Sequence, residues 1–400
     1  MALVTKNFSD IITFTRASTA TFFDSDGVLT SAATNDPRFD YNPSTLAAQG
    51  LLIEEARTNL STNSVLASAW GAASNASYVN TQALSPDGTN TAWSLVENSA
   101  NASHFGSMVS ILTTYTSGIT YTISRFLKAS GRNVVTVYLP ATNFATPGRV
   151  AFFNLTTGVV VSTEAGVTAT IQNVGNGWYR CSASAVAIAT GSGHVGGSAL
   201  TDNGTEVYQG NGVSGALVWG HQLEAGAFPT SYIPTTTTAL TRAADDARVD
   251  VLSPWYNQSA GTLFVERIRG PLDAALARRY VNISDGSVST NAIQNFQSAP
   301  GGSATVSYVA GVSDFNPNPI GISAQGAIVK TALAIDNTGK AMCLDGGTVA
   351  SVATLAPLSG MTTMFIGGNG NLPGNSDTWI RRITYYPRRL SNAELVSITS

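Results

Sequence analysis

Three histidines, His104, His194 and His221, are the only imidazoles in the 400-residue chain. Hydrolysis through an activated nucleophile needs a base beside that nucleophile and a third group to orient the base. None of the three lies near a Gly-x-Ser-x-Gly elbow. His221 follows Trp219 and Gly220 inside a strand-like run and reads as a satisfied core or edge residue. His194 closes the loop string Gly191-Ser192-Gly193, with no zinc-like partner spacing. Glycoside hydrolysis needs two carboxylates facing one another across a cleft. Glu54-Glu55 and Asp245-Asp246 are adjacent pairs, which diverge on an extended chain, and Glu224 and Glu266 fall in different predicted domains. No catalytic residue is expected. Asp87, Asn90 and Asp285 are oxygen donors in turns, where Asp and Asn serve the backbone. No cofactor is expected, with a structural calcium ion as the one exception left open.

Aromatic rings are the remaining chemistry, because a ring stacks on a sugar face while polar neighbours fix its orientation. Trp93, Trp178 and Trp379 sit in strand patterns and are expected in cores. Trp70, Tyr78, Tyr115 and Tyr138 lie nearer turns, and Trp255 and Tyr256 stand between Pro254 and Asn257. These six are the candidate glycan contacts.

The elements that must position them are strands. Thr91–Val96, Gly118–Leu127, Asn133–Leu139, Arg149–Leu155, Val167–Val174 and Trp178–Ala187 alternate or run apolar between turn clusters such as Pro86-Asp87-Gly88 and Gly175-Asn176-Gly177. Thr262–Ile268, Tyr280–Ser284, Ala292–Gln297, Ala304–Val309, Ile328–Ile335, Met361–Ile366 and Thr378–Tyr386 repeat the pattern. Ser391 and Glu394 form a capping box that opens one short C-terminal helix. The fold class is all-β: two antiparallel β-sandwich jelly rolls, at 61–234 and 248–400, joined by a Thr/Pro-rich linker at 235–247. Residues 1–60 carry a hairpin at Asp24–Gly27 and are too few to own a core, so they are expected to pack on the following domain or on another copy, as an anchoring or assembly segment. Phe14–Phe23 alternates like one continuous strand. The polar run Thr235–Thr238 reads as a pivot between the sandwiches.

Charged residues make up 11% of the chain and the net charge is −3. No basic patch serves a nucleic acid, and no stretch approaches the roughly 18 apolar residues of a membrane span. The first residues lack the apolar core of a secretory signal. Cys181 and Cys343 lie in strand-like contexts of different domains and read as small buried apolar residues. A surface with only four lysines is closer in character to a permanent interface than to the skin of a monomer.

Three sets of strings resemble bacteriophage structural proteins of the fibre, spike or minor-tail kind. The first is Phe14–Thr21, with Pro37–Tyr41 and Gly50–Leu60, which looks like their N-terminal signature. The second is Tyr121–Lys128, with Gly177–Cys181 and Trp219–Pro234, similar to jelly-roll carbohydrate-binding modules. The third is Tyr280–Ile293 with Ile380–Leu395, which resembles a concanavalin A-like, laminin-G-type sandwich. The resemblance implies a virion protein, in head or tail, that adheres to host surface polysaccharide through non-catalytic sandwiches. It also implies contacts to other virion proteins through the N-terminal segment, and a homotrimer. A purely architectural connector or decoration protein is the alternative, followed by a polysaccharide depolymerase.

Overall fold

The computed structural model describes residues 7–71, 73–271, 278–287, 290–297, 303–315, 323–353, 360–368 and 377–400. The described chain is built of strands, with a capped α-helix at Asn392–Thr399 whose N-cap Ser391 accepts from the Glu394 N–H, the capping box read from the sequence. Strand pairings are antiparallel.

The middle sandwich packs two sheets face to face. One has the order Thr168–Asn173, Trp178–Val186, Thr120–Ser130, Gly215–Ala225, Ala92–Glu97, Ala76–Ala83. The other runs Val159–Thr163, Val150–Asn154, Val134–Tyr138, Gly197–Thr201, Asn101–Ser107, Val207–Gln209. Alternation sends Tyr121, Ile123 and Leu127 of the first sheet, and Val135, Val137 and Leu200 of the second, into the shared core.

The outer face of the first sheet is buried as well. Phe126, Trp178 and Trp219 form a second cluster there with Leu29 and Tyr232. Leu29 belongs to the hairpin Ala20–Phe23/Leu29–Ala32, and Tyr232 to the chain leaving the sandwich. Two-sided burial explains the near-continuous apolar strings in these strands, which ordinary half-exposed strands lack.

The C-terminal sandwich is completed by the N-terminal segment. Thr13–Thr15 pairs with Asp246–Val249 at the edge of one sheet. Ala48–Ile53 pairs with Thr378–Tyr386 in the other, with Phe39–Tyr41 outside it. Arg57–Asn59 pairs with Leu240–Arg242. The segment, expected to pack on the following domain or on another copy, packs within its own chain on both sandwiches. The alternating string Phe14–Phe23 is not one strand. It breaks between Thr15 and Ala20, because Arg16 turns inward and its N–H and C=O bond to Asn35.

Where a pivot was expected at Thr235–Thr238, Thr236, Thr237 and Thr238 are exposed, but the stretch is anchored on either side of them. Thr235 is buried, its N–H donates to Ser64 Oγ (2.9 Å) and its hydroxyl donates to Ser61 O (2.6 Å). Asp245 is fully buried and accepts from Arg16 Nη1 (3.1 Å), Arg38 Nη2 (2.5 Å) and the Glu54 N–H (2.8 Å). Arg38 Nη1 also donates to Glu54 Oε2 (2.7 Å) and Ser231 Oγ (2.9 Å). Beside this group Arg278 donates to Asp377 (2.6 Å) and Glu55 (2.9 Å). These charges come from the N-terminal segment, the stretch 235–247 and the C-terminal sandwich, with the Ser231 hydroxyl as the middle domain's contribution, and all but Glu55 are buried.

Removing one partner of such a set strands the others. Asp245→Ala is expected to lower unfolding stability by about 3–5 kcal/mol, measured by chemical denaturation; a loss below about 1 kcal/mol would show the network to be inessential. Burial pushes the Glu54 carboxyl up, but Arg242, Arg38 and Ser231 together outweigh it and hold it at about 2, below its ordinary 4.5. The unfolded chain therefore binds the extra proton between those values. Glu54 contributes stability that is full above pH 4.5 and is lost as pH falls toward 2. Glu54→Gln should flatten that acid limb of stability against pH, and an unchanged slope would refute the assignment.

Candidate functional site

The outward face of the second middle sheet carries a row of side chains that the register fixes. Phe105 lies opposite Ala199, Ala199 opposite Thr136, Thr136 opposite Phe152, and Phe152 opposite Ser162. Three strand spacings separate the two phenylalanines, about 14 Å at roughly 4.8 Å each. Small residues lie between them, and both rings are half-buried. In the next row Ser107 faces Gly197, Gly197 faces Tyr138, and Tyr138 faces Val150. Phe105, Tyr138, Val150, Phe152 and Ala199 pack as one cluster on this face, outside the main core.

Tyr138 lies across Gly197, where an added Cβ would come 2.5 Å from its hydroxyl and closer still to Gly106 O. Its hydroxyl and Ser107 Oγ are 2.5 Å apart. Burial pushes the phenol up to about 12, so the group keeps its proton and can both donate and accept. The Arg149 guanidinium stands 5.5 Å from the Tyr138 ring centroid and donates to Leu139 O. The face therefore offers two half-buried apolar rings, Phe105 and Phe152, and a half-buried cation at the rim, over a buried phenol and hydroxyl that bond to each other. Aromatic rings of this kind can stack on the C–H face of a polyhydroxylated ligand.

Of the six aromatic residues singled out from sequence, only Tyr138 stands here, and it is buried beneath the two phenylalanines' face rather than presented on it. Trp70 and Tyr115 are fully buried in the middle core and offer no ring face to a ligand. Trp70 folds inward at the end of a 3₁₀ turn with its indole N–H on Asn63 O, while Tyr115 packs edge-on to Tyr121 and Phe144. Tyr78 is half-buried, edge-on to Trp70 at 5.3 Å. Trp255 and Tyr256 sit apart, with Tyr385, at one end of the C-terminal sandwich; Tyr256 and Tyr385 stack at 5.0 Å. Behind them lies a cavity of about 260 Å³ lined by Phe8, Leu263, Ile283 and Met364. Phe105 and Phe152 were missed because each alternates in its own strand like any core residue. Only the pairing of four strands shows that they share an outer face.

The carboxylates that could serve catalysis are held by partners. Asp40 accepts from the Trp379 indole N–H (2.6 Å) and the Phe23 N–H (2.7 Å). Glu224 accepts from the Thr230 N–H and hydroxyl. Glu97 is clamped by Arg132, Tyr208 and the Asn211 N–H. Asp87 and Asp285 accept from hydroxyls and N–H groups of their own turns. Among the described residues no group of three or more His, Cys, Asp or Glu is placed to hold a metal ion. His104 and His221 are fully buried.

Gly197→Ala should displace Tyr138 or part the two strands, costing about 1–3 kcal/mol in unfolding stability. A melting temperature equal to that of the unaltered protein would show that the ring does not depend on the glycine.

No protein-family model matches the chain, and no curated protein matches it. Among solved structures it is similar to the Ruminococcus gnavus IT-sialidase CBM40, at 16% identity over 36% of this chain and 84% of that one, with a TM-score of 0.32. It is similar to the NanB sialidase of Streptococcus pneumoniae at 15% identity over 38% and 26% of the two chains, TM-score 0.32. Domain 4 of AbnA, an extracellular arabinanase of Geobacillus stearothermophilus, shows 11% identity over 44% and 84%, TM-score 0.33. Likeness at this level carries no argument for what this chain binds.

Proposed function

We propose that the chain is a non-catalytic glycan-binding protein whose contact surface is the outer face bearing Phe105, Tyr138 and Phe152. The observation that carries this reading is the cross-strand row, which holds the half-buried rings of Phe105 and Phe152 on one sheet face with the half-buried Arg149 beside them. Sugars bind such surfaces because their C–H faces stack on rings while hydroxyls bond to the polar rim. The partner is a surface polysaccharide. The strings Phe14–Thr21, Tyr121–Lys128 and Ile380–Leu395, which resemble phage fibre proteins, support a place on a virion and adhesion to the host. Shallow sites of this kind are weak singly and gain strength from several copies, so the adhesive form is a homotrimer.

The test is calorimetric titration of the purified protein with host surface polysaccharide, alongside Phe105→Ala and Phe152→Ala. Each substitution should weaken binding about tenfold, the effect of removing one well-packed ring from an interface, with the melting temperature little changed. Equal binding by the double variant would overturn the site, and release of reducing ends during incubation would overturn the non-catalytic reading. Light scattering should give three times the 41.5 kDa chain mass; a monomer mass at micromolar concentration would sink the trimer.

A further inference from the structure

We infer that the middle sandwich contains an internal site for a small inorganic anion of the chloride class, built around Arg125. The site begins with a backbone irregularity. Strands Thr120–Ser130 and Gly215–Ala225 pair with Ser124 opposite Gln222 and Phe126 opposite Trp219. One residue, Arg125, therefore faces two, Gly220 and His221. Gly220 adopts φ +58°, and a Cβ there would stand 2.7 Å from the Phe126 ring, so glycine is required for this bulge. The His221 N–H turns out of the ladder to Ser64 O (2.8 Å), which brings in the loop carrying Trp70.

The bulge gathers a polar group inside an apolar core. Arg125 is fully buried, with its guanidinium 4.8 Å from the Trp70 ring centroid and Nη1 donating to Ser198 Oγ (3.0 Å). Its Nε and Nη2 have no hydrogen-bond partner among the described residues. His221, also fully buried, approaches the Val195 backbone outside hydrogen-bonding geometry, and the Tyr78 hydroxyl is likewise unpartnered. Trp70 touches both, at 6.4 Å from the His221 ring and 5.3 Å from the Tyr78 ring.

A guanidinium keeps its charge in any protein environment, and a buried charge without a counter-charge is costly. The ring face of Trp70 offsets part of that cost, but an aromatic face cannot accept the two remaining N–H groups in line. An anion answers both needs at once, and the imidazole and phenol supply further donors. A carboxylate from the protein is absent from Arg125's contacts among the described residues. The half-buried Tyr78 marks the side nearest solvent, so the ligand is small and exchanges there. This site lies on the core side of the second sheet and the glycan-binding face on its outer side, with Arg125 and Tyr78 close enough to act on the Tyr138 phenol.

The experiment uses the intact protein and bromide. Crystals grown or soaked in bromide should show an anomalous peak within hydrogen-bonding distance of Arg125 Nε or Nη2. In solution at fixed ionic strength, replacing gluconate with chloride or bromide should raise the melting temperature by a few degrees per tenfold increase in halide. Arg125→Met should lose that dependence. Solvent density without an anomalous peak would overturn the inference, as would equal halide dependence in the wild type and the variant. If the variant does not fold, the peak in the unaltered protein decides alone.

Discussion

The burial of Asp245 between Arg16 and Arg38 is the contact on which the rest of the architecture depends. Arg16 and Arg38 come from the N-terminal segment, Asp245 from the stretch between the sandwiches, and Glu54 carries the set on to Ser231 of the middle domain. A buried ion set adds little net stability, because desolvation opposes the Coulombic gain. What it does fix is geometry. Each guanidinium is satisfied by partners from distant parts of the chain, and any other arrangement leaves a charge stranded. The two sandwiches are therefore held in one relation, although apolar packing alone would tolerate several.

That constraint explains how a chain with so few charges folds so much sheet. The segment preceding the middle domain cannot form a core, yet it supplies an edge strand to one C-terminal sheet and two strands to the other. It also lays its hairpin on the outer face of a middle sheet. Apolar residues on both faces of Thr120–Ser130 and Gly215–Ala225 are covered as a result. Much of the scarce charge is spent inside: Arg16, Arg38, Arg125, Arg242, Arg267 and Arg278 are among the largest fully buried side chains. The surface is left to uncharged residues, with exposed Val, Leu and Ile side chains among them.

The first sheet of the middle sandwich spends its outer side on the hairpin, so of the two outer faces it is the second sheet's that carries the half-buried rings of Phe105 and Phe152. Rigidity favours such a face, since rings fixed by pairing and by a glycine beneath Tyr138 lose little freedom when a ligand stacks on them. The bulge at Gly220 works in the opposite direction, turning a cation and an imidazole into the core.

Local chemistry decided the elements. Alternation placed the strands, turn residues placed the hairpin at Asp24–Gly27, and Ser391 with Glu394 placed the helix, because each of these depends on neighbours within a few residues. The inward or outward sense of a side chain does not. Trp70 looked available near a turn, but its loop is drawn in by the Ser64–His221 bond. Phe14–Phe23 looked like a single strand until Arg16 found Asp245, 229 residues away in sequence. Phe105 and Phe152 carry no local mark at all. The sequence by itself determined an all-β chain with two sandwich-length bodies; which face is wet, which charges meet and which rings share a surface came only from register and long-range pairing, since a period of two residues states that faces alternate but not what covers each face.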